Sequence, residues 1–277
     1  MIKKPNFKIG LFMVPGLVGF IIFYIIPVLF SMNYALTDSP VNGQFVGLEN
    51  FRKVLQSPPF LLAVKNTLKF MIVSIPLNMA IPLALAVLLE KVDNRRIITT
   101  IFMSPLVIPS ACIAFLFQSF FASNGLLSSI SAQRTNWMQT ETSFAIACLI
   151  YIWKNMGYNL VLYLAGLSSI PKDYYEWASM EGMGGIRFFF TIKLRYLMPT
   201  LFIVFVMSFI NSFKVYRELY MLGGNYPNDS IYMLQHYMNN QFNRLSYQNL
   251  TAASFLIIGV ISIFVLLFFI ADKKSSE

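Results

Sequence analysis

Charge, cysteine and histidine are all scarce in this chain of 277 residues. Charged residues make up 12% of it, about half the share found in soluble domains, so they cannot furnish the water-facing surface of a globular domain of this length. One histidine and two cysteines leave little room for a histidine-based metal cluster, a Ser-His-Asp triad or a disulfide framework. No Gly-Lys dipeptide occurs, which excludes the phosphate-binding P-loop of nucleotide-hydrolysing proteins.

Apolar residues, in contrast, are abundant: 57% of the chain is hydrophobic, with 27 Phe, 14 Tyr and 3 Trp. So many rings exclude a disordered chain, and a multi-spanning membrane protein is the remaining class. A helix needs about 20 mostly apolar residues to cross the hydrocarbon core. Six windows meet this requirement and predict an all-α polytopic membrane protein in which residues 1–277 form one transmembrane domain. The predicted spans cover 9–34, 68–90, 97–121, 143–167, 196–216 and 249–271.

The distribution of Lys and Arg predicts the orientation. Six spans place both termini on one side of the membrane, and that side carries twelve Lys and Arg against five on the other. Because short cytoplasmic loops are enriched in these residues, both termini are expected in the cytoplasm. The first window has a basic start like a signal peptide, but its apolar run is too long, so we interpret it as a retained span. Prolines in the first three spans predict kinks that suit a transporter or channel, although ordinary membrane-helix usage explains them equally well.

The segment between the fourth and fifth spans, residues 168–195, predicts a short amphipathic helix. Pro171 and Asp173 are helix-start signals. An apolar stripe at helical spacing follows, formed by Tyr174, Trp177 and Ala178. Three glycines then end the helix: Gly182, Gly184 and Gly185. Such a helix either binds in a groove of a soluble partner or rests on lipid. Its acidic rim favours the partner, because the cytoplasmic leaflet is itself anionic. The rim consists of Asp173, Glu176 and Glu181.

The same segment carries a motif by which the chain resembles the membrane subunits of binding-protein-dependent ABC importers. Their pattern is Glu-Ala-Ala, three residues, Gly, and after a spacer Ile-x-Leu-Pro. The matching residues here are Glu176, Ala178, Gly182, Ile192 and Leu194. Three positions depart from the pattern, namely Trp177 for the first alanine, Glu181 for a common Asp and Arg195 for the proline. Further matches at 45–51, 66–68, 165–171 and 222–224 extend the resemblance over nearly the whole chain and indicate the carbohydrate-uptake branch.

The resemblance implies a mechanism and a set of partners. The loop helix would dock into a cleft on a cytoplasmic ATPase, whose ATP-driven closure would move the membrane subunits. The residues assigned to this coupling are Tyr174, Glu176, Ala178, Glu181, Gly182 and Gly184. The expected partners are two ATPase subunits that use ATP and Mg²⁺, a second and different permease subunit, an external solute-binding protein, the carbohydrate and membrane lipid. The chain itself is expected to lie in a bacterial cell membrane. It is expected to catalyse no reaction and to bind no cofactor, metal or nucleic acid.

Polar side chains at membrane depth give a candidate substrate path. Lys154 lies eleven residues beyond Ser143, about 16 Å along a helix and therefore near the midplane. An ion there is costly, so a hydrated cavity or a buried partner is expected around it, whereas Lys214 near the outer interface can snorkel to water. Carbohydrates are recognised by flat apolar rings and by amides and hydroxyls. The candidate residues are Trp153, Lys154, Asn155, Tyr158, Asn159, Asn211, Lys214, Tyr216 and Arg217.

These candidates have structural alternatives. A single aromatic ring at helical spacing more often packs against its neighbours, whereas a lipid-facing amide would be left unsatisfied, which favours the asparagines. The cations favour an acidic saccharide, but Glu218 could equally neutralise one of them. We interpret the chain as a permease subunit for a carbohydrate, an oligosaccharide. The alternative is a self-sufficient secondary transporter or channel for a small polar solute, a class that commonly shows inverted repeats. No second copy of the coupling motif is present in the sequence.

Overall fold

The structure is a computed structural model that describes the backbone of residues 7–90, 92–130 and 135–276. Side chains are described from residue 13 to residue 266 within these ranges, except 264 and 265. The described residues form helices and turns, with one isolated antiparallel bridge between Thr37 and Phe45. Two compact units can be distinguished: residues 1–61 with 237–277, and residues 62–236.

The helices follow one another along the chain with short connections. They are α1 (Phe7–Phe20), α2 (Ile26–Leu36), α3 (Glu49–Gln56), α4 (Pro58–Leu89), α5 (Arg95–Val107), α6 (Ser110–Phe121), α7 (Leu126–Ile130), α8 (Ser143–Ser168), α9 (Lys172–Met180), α10 (Gly185–Phe188), α11 (Leu194–Lys214), α12 (Tyr216–Gly223), α13 (Leu234–Asn243) and α14 (Tyr247–Ser276). Two π-helical turns join neighbouring helices: Ile21–Ile25 between α1 and α2, and Phe189–Lys193 between α10 and α11. Two 3₁₀ turns lie at Trp137–Gln139 and Asp229–Ile231.

Several of these helices are long and apolar enough to cross a membrane. Five such stretches are Met13–Leu36, Pro58–Leu89, Ser110–Ile130, Ser143–Ser168 and Gly185–Gly223. They confirm the predicted all-α polytopic fold. A sixth apolar stretch, Tyr247–Ile263, begins α14 and is shorter. The sixth crossing and the cytoplasmic position of both termini therefore stay predictions.

The third apolar window, predicted as one span over 97–121, is interrupted in the structure. Helix α5 ends at Val107, and Ile108 has the extended conformation, with φ −72° and ψ 127°. Pro109 follows and α6 begins at Ser110. Proline disfavours helical geometry at the residue before it and lacks an N–H, so the helix stops at this point. The membrane-length stretch in this part of the chain consequently begins at Ser110.

In the first unit, α2 and α3 both pack on α14. The buried amide of Asn50 ties α3 to the end of α2, because its Nδ2 donates to the carbonyl oxygens of Ala35 at 3.1 Å and Thr37 at 2.8 Å. The rings of Phe60 and Tyr237 meet edge to face, with centroids 5.3 Å apart. Within this unit, side-chain hydrogen bonding and aromatic packing join the elements that neighbour α14.

In the second unit, α8 lies at the centre of the packing. It contacts α5 along one side and α11 along another. Apolar residues of α8 enter two buried clusters, one around Tyr151 and the other around Tyr163. Gly157 marks the place where α5 crosses closest, because a Cβ there would lie 2.1 Å from the carbonyl oxygen of Phe102. Only glycine allows the two backbones to approach this far.

Candidate functional site

Helix α9 forms where the sequence predicts the coupling helix. Pro171 precedes it in an extended conformation, and α9 runs from Lys172 to Met180. Ala178 faces inward with 5% exposure, whereas Trp177 is 41% exposed and Glu176 lies on the same outer side. The predicted amphipathic helix is present, with an exposed acidic and aromatic face.

The C-terminal end of α9 is closed by a Schellman motif. Gly182 has φ +60°, a conformation that L-residues with a side chain adopt only at a cost. Its N–H donates to the carbonyl oxygen of Ser179 at 3.2 Å, and the N–H of Met183 donates to that of Ala178 at 2.9 Å. A Cβ at Gly184 would meet no atom within 4 Å. The predicted glycine stop is therefore a defined cap followed by an open linker, with Glu181 exposed beside it.

A largely buried ionic cluster anchors α9 near its N-terminus. Glu90 directly follows α4 and accepts a hydrogen bond from the hydroxyl of Tyr175 in α9. Its other carboxylate oxygen forms an ion pair with Nζ of Lys193, a residue of the π-helical turn that is only 6% exposed. That ammonium also lies 5.4 Å from the ring centre of Tyr175 and 5.5 Å from that of Phe188. The cluster joins α4, α9 and the turn before α11.

The environment of Tyr175 reflects this anchoring. Burial raises the pKa of its phenol, and both the hydrogen bond and the negative charge of Glu90 act in the same direction. Next to it, the ring of Tyr174 packs edge to face on that of Tyr196, with centroids 5.3 Å apart. Sequence reasoning missed Glu90. The one feature of the sequence that points to Glu90 is its position as the acidic residue directly after a long uncharged run.

Lys154 is the predicted midplane cation, and the structure gives it a partner. Its ammonium forms an ion pair with Glu218 of α12, whose side chain is 1% exposed. Ser110, the first residue of α6, lies between them: its hydroxyl donates to Glu218 at 2.7 Å and accepts from Lys154 Nζ at 3.2 Å. Ser110 directly follows the helix interruption at Pro109, and Glu218 lies three residues after the interruption at Val215. The positive charge of Lys154 is therefore compensated within the chain.

The three predicted asparagines engage in contacts between helices. Asn211 Nδ2 of α11 donates to Asn155 Oδ1 of α8 at 2.9 Å. Asn155 Nδ2 donates in turn to the carbonyl oxygen of Tyr151 at 2.8 Å. Asn159 Nδ2 donates to the backbone carbonyl of Asn78 in α4 at 2.9 Å. Asn155 and Asn159 are buried, so their amides hold α4, α8 and α11 together in this conformation.

Asn78 extends the same polar layer and was not singled out from the sequence. Its Nδ2 donates to Ser208 Oγ at 2.9 Å, and the hydroxyl of Tyr151 donates to the Ser208 carbonyl at 2.6 Å. Two buried oxygens, Asn78 Oδ1 and Ser74 Oγ, have no hydrogen-bond partner among the described residues. A layer of buried amides and hydroxyls therefore lies between α4, α8 and α11, and these two oxygens in it are free to accept a hydrogen bond.

The other predicted path residues separate into packed and exposed groups. Trp153 is half-buried and packs edge to face on Phe117 at 5.9 Å, while Tyr158 is half-buried. Tyr216 contacts the ring of His236 at 4.7 Å. It also lines a small open cleft together with Thr67, Ser212, Phe213, Val215, Met233, Leu234 and Gln235. Lys214 and Arg217 are exposed. The structure does not gather all nine candidates around one cavity.

Comparison with known proteins agrees with this architecture. Residues 94–273 match the family described as binding-protein-dependent transport system inner membrane component. The arabinooligosaccharides transport system permease protein AraP of Bacillus subtilis is 30% identical over 78% of this chain and 72% of its own length. The trehalose/maltose transport system permease protein MalF of Thermococcus litoralis is 29% identical over 92% of this chain and 90% of its own length.

A solved structure supports the fold independently. It is a bacterial ABC transporter involved in the import of the acidic polysaccharide alginate. One of its chains superposes with a TM-score of 0.78 at 23% identity, covering 94% of this chain and 93% of that one. The family match spans well over half of the chain, confirms the resemblance carried by the α9 segment, and favours an importer subunit over a self-sufficient transporter. This chain belongs to the family of inner membrane components of binding-protein-dependent transport systems, as a non-catalytic, integral membrane subunit.

Proposed function

We propose that this chain is the permease subunit of an ATP-driven importer that carries a neutral oligosaccharide across a bacterial cell membrane. Family membership supports the transport class. Two relatives that match over most of their length are named for transport of arabinooligosaccharides and of trehalose and maltose, which supports carbohydrate as the substrate class. The single observation that carries the coupling mechanism is α9, a short helix that begins after Pro171, ends in a Schellman cap and has an exposed acidic and aromatic face.

In this proposal α9 docks into a groove of a cytoplasmic ATPase that uses ATP and Mg²⁺. Trp177 and Met180, 41% and 81% exposed, supply apolar contacts at helical spacing. Glu176 adds a charge for a basic groove wall, and the cap at Gly182 fixes where the helix ends. Two ATPases, a second and different permease subunit and an external binding protein complete the complex.

The preference for a neutral substrate rests on the charge balance around Lys154. Its ammonium is paired with Glu218, so these two residues together add no net charge to a path beside them. Tyr216 and Ser212 line the cleft next to the same helices and offer a ring and hydroxyls for a saccharide. Uptake of a labelled maltooligosaccharide or arabinooligosaccharide, measured in competition, tests the point. Neutral oligosaccharides should compete and uronic-acid oligosaccharides should not. The reverse order would assign Lys214 and Arg217 to recognition of an acidic saccharide.

The docking proposal is tested by Glu176→Ala and Gly182→Val. The first removes the exposed carboxylate, and the second forces a β-branched residue into positive φ, which unravels the cap. Both variants should reach the membrane but lose ATPase subunits on purification and lose uptake. Glu49→Ala, an exposed carboxylate of α3, and Gly185→Ala, an open position without positive φ, are the matched controls. Full uptake by both test variants would refute the docking assignment.

A further inference from the structure

The contact between α9 and the rest of the second unit is concentrated at one carboxylate. Glu90 bonds to Tyr175 of α9 through one oxygen and to Lys193 through the other. Its own side chain is 15% exposed and that of Lys193 8%, so the ion pair is largely screened from water. A single group thus holds three segments that lie 85 and 103 residues apart in the sequence.

The position of this carboxylate matters for force transmission. Glu90 is the residue after Leu89, the last residue of the 32-residue helix α4. Lys193 is the last residue of the π-helical turn that continues directly into α11. A displacement of α9 would therefore reach two membrane-length helices through the same side chain. The covalent route from the other end of α9 passes through Gly182, Gly184 and Gly185, and a glycine backbone is less restricted than that of other residues.

We propose that Glu90 is the positioning residue that passes the movement of α9 to α4 and α11, with Tyr175 and Lys193 as its two attachment points. This inference rests on the proposed docking of α9 on an ATPase. Glu90 is not expected to take part in docking, because its side chain is only 15% exposed and contacts α9 through the half-buried Tyr175 rather than through the exposed Glu176 and Trp177. The proposal therefore separates assembly of the complex, which needs the exposed face, from coupling, which needs Glu90.

The test uses the full complex of both permeases, ATPases and binding protein, reconstituted in liposomes. The probe is a mixture of maltooligosaccharides and arabinooligosaccharides, and the measured quantity is the uptake per ATP hydrolysed. Glu90→Gln should keep the wild-type ratio of ATPase to permease subunits. Its uptake per ATP should fall about tenfold, which lies within the range of coupling between distant sites. Asp93→Asn removes an exposed carboxylate three residues away and is the matched control.

Two further variants keep the outcome decisive. The charge swap Glu90→Lys with Lys193→Glu rebuilds the ion pair in the opposite direction and should recover part of the lost ratio. Tyr175→Phe removes one hydroxyl and leaves the ion pair, so it remains usable if the charge variants fail to accumulate, and it should lower the ratio by a smaller factor.

Two results would overturn the proposal: wild-type uptake per ATP in Glu90→Gln or Tyr175→Phe, or loss of ATPase subunits from the Glu90→Gln complex. The docking proposal fails separately, when Glu176→Ala and Gly182→Val both retain full uptake.

Discussion

The ion pair between Lys154 and Glu218 gives the sharpest stability prediction. Lys154→Met would leave the Glu218 carboxylate, 1% exposed, with the hydroxyl of Ser110 as its remaining partner. Glu218→Gln would instead leave a lysine that is 24% exposed, whose ammonium can reach water more easily. Because the cost of an unpaired ion grows with its burial, the lysine variant should be the less stable of the two.

The magnitude follows from the burial of each partner. Breaking a buried ion pair by removing one side costs about 3–5 kcal/mol, and Lys154→Met should reach this range. Glu218→Gln should cost about 1–3 kcal/mol, the usual penalty for one poorly satisfied polar group. The double variant Lys154→Met with Glu218→Gln removes both charges and should cost less than Lys154→Met alone. The two single effects are therefore expected to be strongly non-additive.

Thermal unfolding of the purified protein in detergent measures these differences. A loss of about 3–5 kcal/mol lowers the Tm by about 10 °C in a domain of this size. A Tm within about 2 °C of wild type for Lys154→Met would correspond to less than about 1 kcal/mol and would refute the buried pair. A double variant as unstable as the sum of its single substitutions would also contradict the reasoning, since it would show that the two side chains act independently.

Two other predictions concern close packing and protonation. Gly157→Ala would place a Cβ 2.1 Å from the carbonyl oxygen of Phe102 and push α5 away from α8. The free energy of unfolding should fall by about 1–3 kcal/mol, which is measured as a lower Tm. Gly259→Ala is the control, because its Cβ would meet no atom within 4 Å and the Tm should stay unchanged. Burial lowers the pKa of His236 to about 4, so the folded protein holds this histidine neutral while the unfolded chain protonates it below its usual pKa of about 6.5. The contribution of His236 to the free energy of unfolding is therefore complete above pH 6.5 and is smaller by about 2 kcal/mol at pH 5. His236→Asn should reduce the fall of Tm between pH 7 and 5. An unchanged dependence of Tm on pH would show that another group takes up the proton on unfolding.

The helices were the most predictable part of the structure, because long uncharged windows are a property of local composition. The window predicted at 143–167 corresponds to α8, Ser143–Ser168. The interruption before Ser110 was harder to foresee. Pro105 and Pro109 stand in the same apolar window, yet Pro105 lies inside α5 and Pro109 ends the helical run. The local signal is the same at both prolines, so the packing of the surrounding helices decides which one becomes a break.

The partners of the ionic groups could be predicted only in kind. The cost of a charge at membrane depth predicts that Lys154 has either water or a buried partner, and Glu218 was one possible neutraliser. The choice of that carboxylate, 64 residues away, depends on how α8 and α12 meet. Glu90 was missed for the same reason, since its contacts with Tyr175 and Lys193 join distant segments and leave no periodic pattern in the sequence.

The shortness of α9 has a practical consequence. Isolated helices below about 12–15 residues are barely stable in water, and α9 has nine residues. A synthetic peptide copied from Lys172–Met180 would therefore be largely unstructured and would lose conformational entropy on binding to the ATPase groove proposed above. A competitive inhibitor built from this sequence needs a covalent brace, such as a lactam between two positions one turn apart on the inward-facing side.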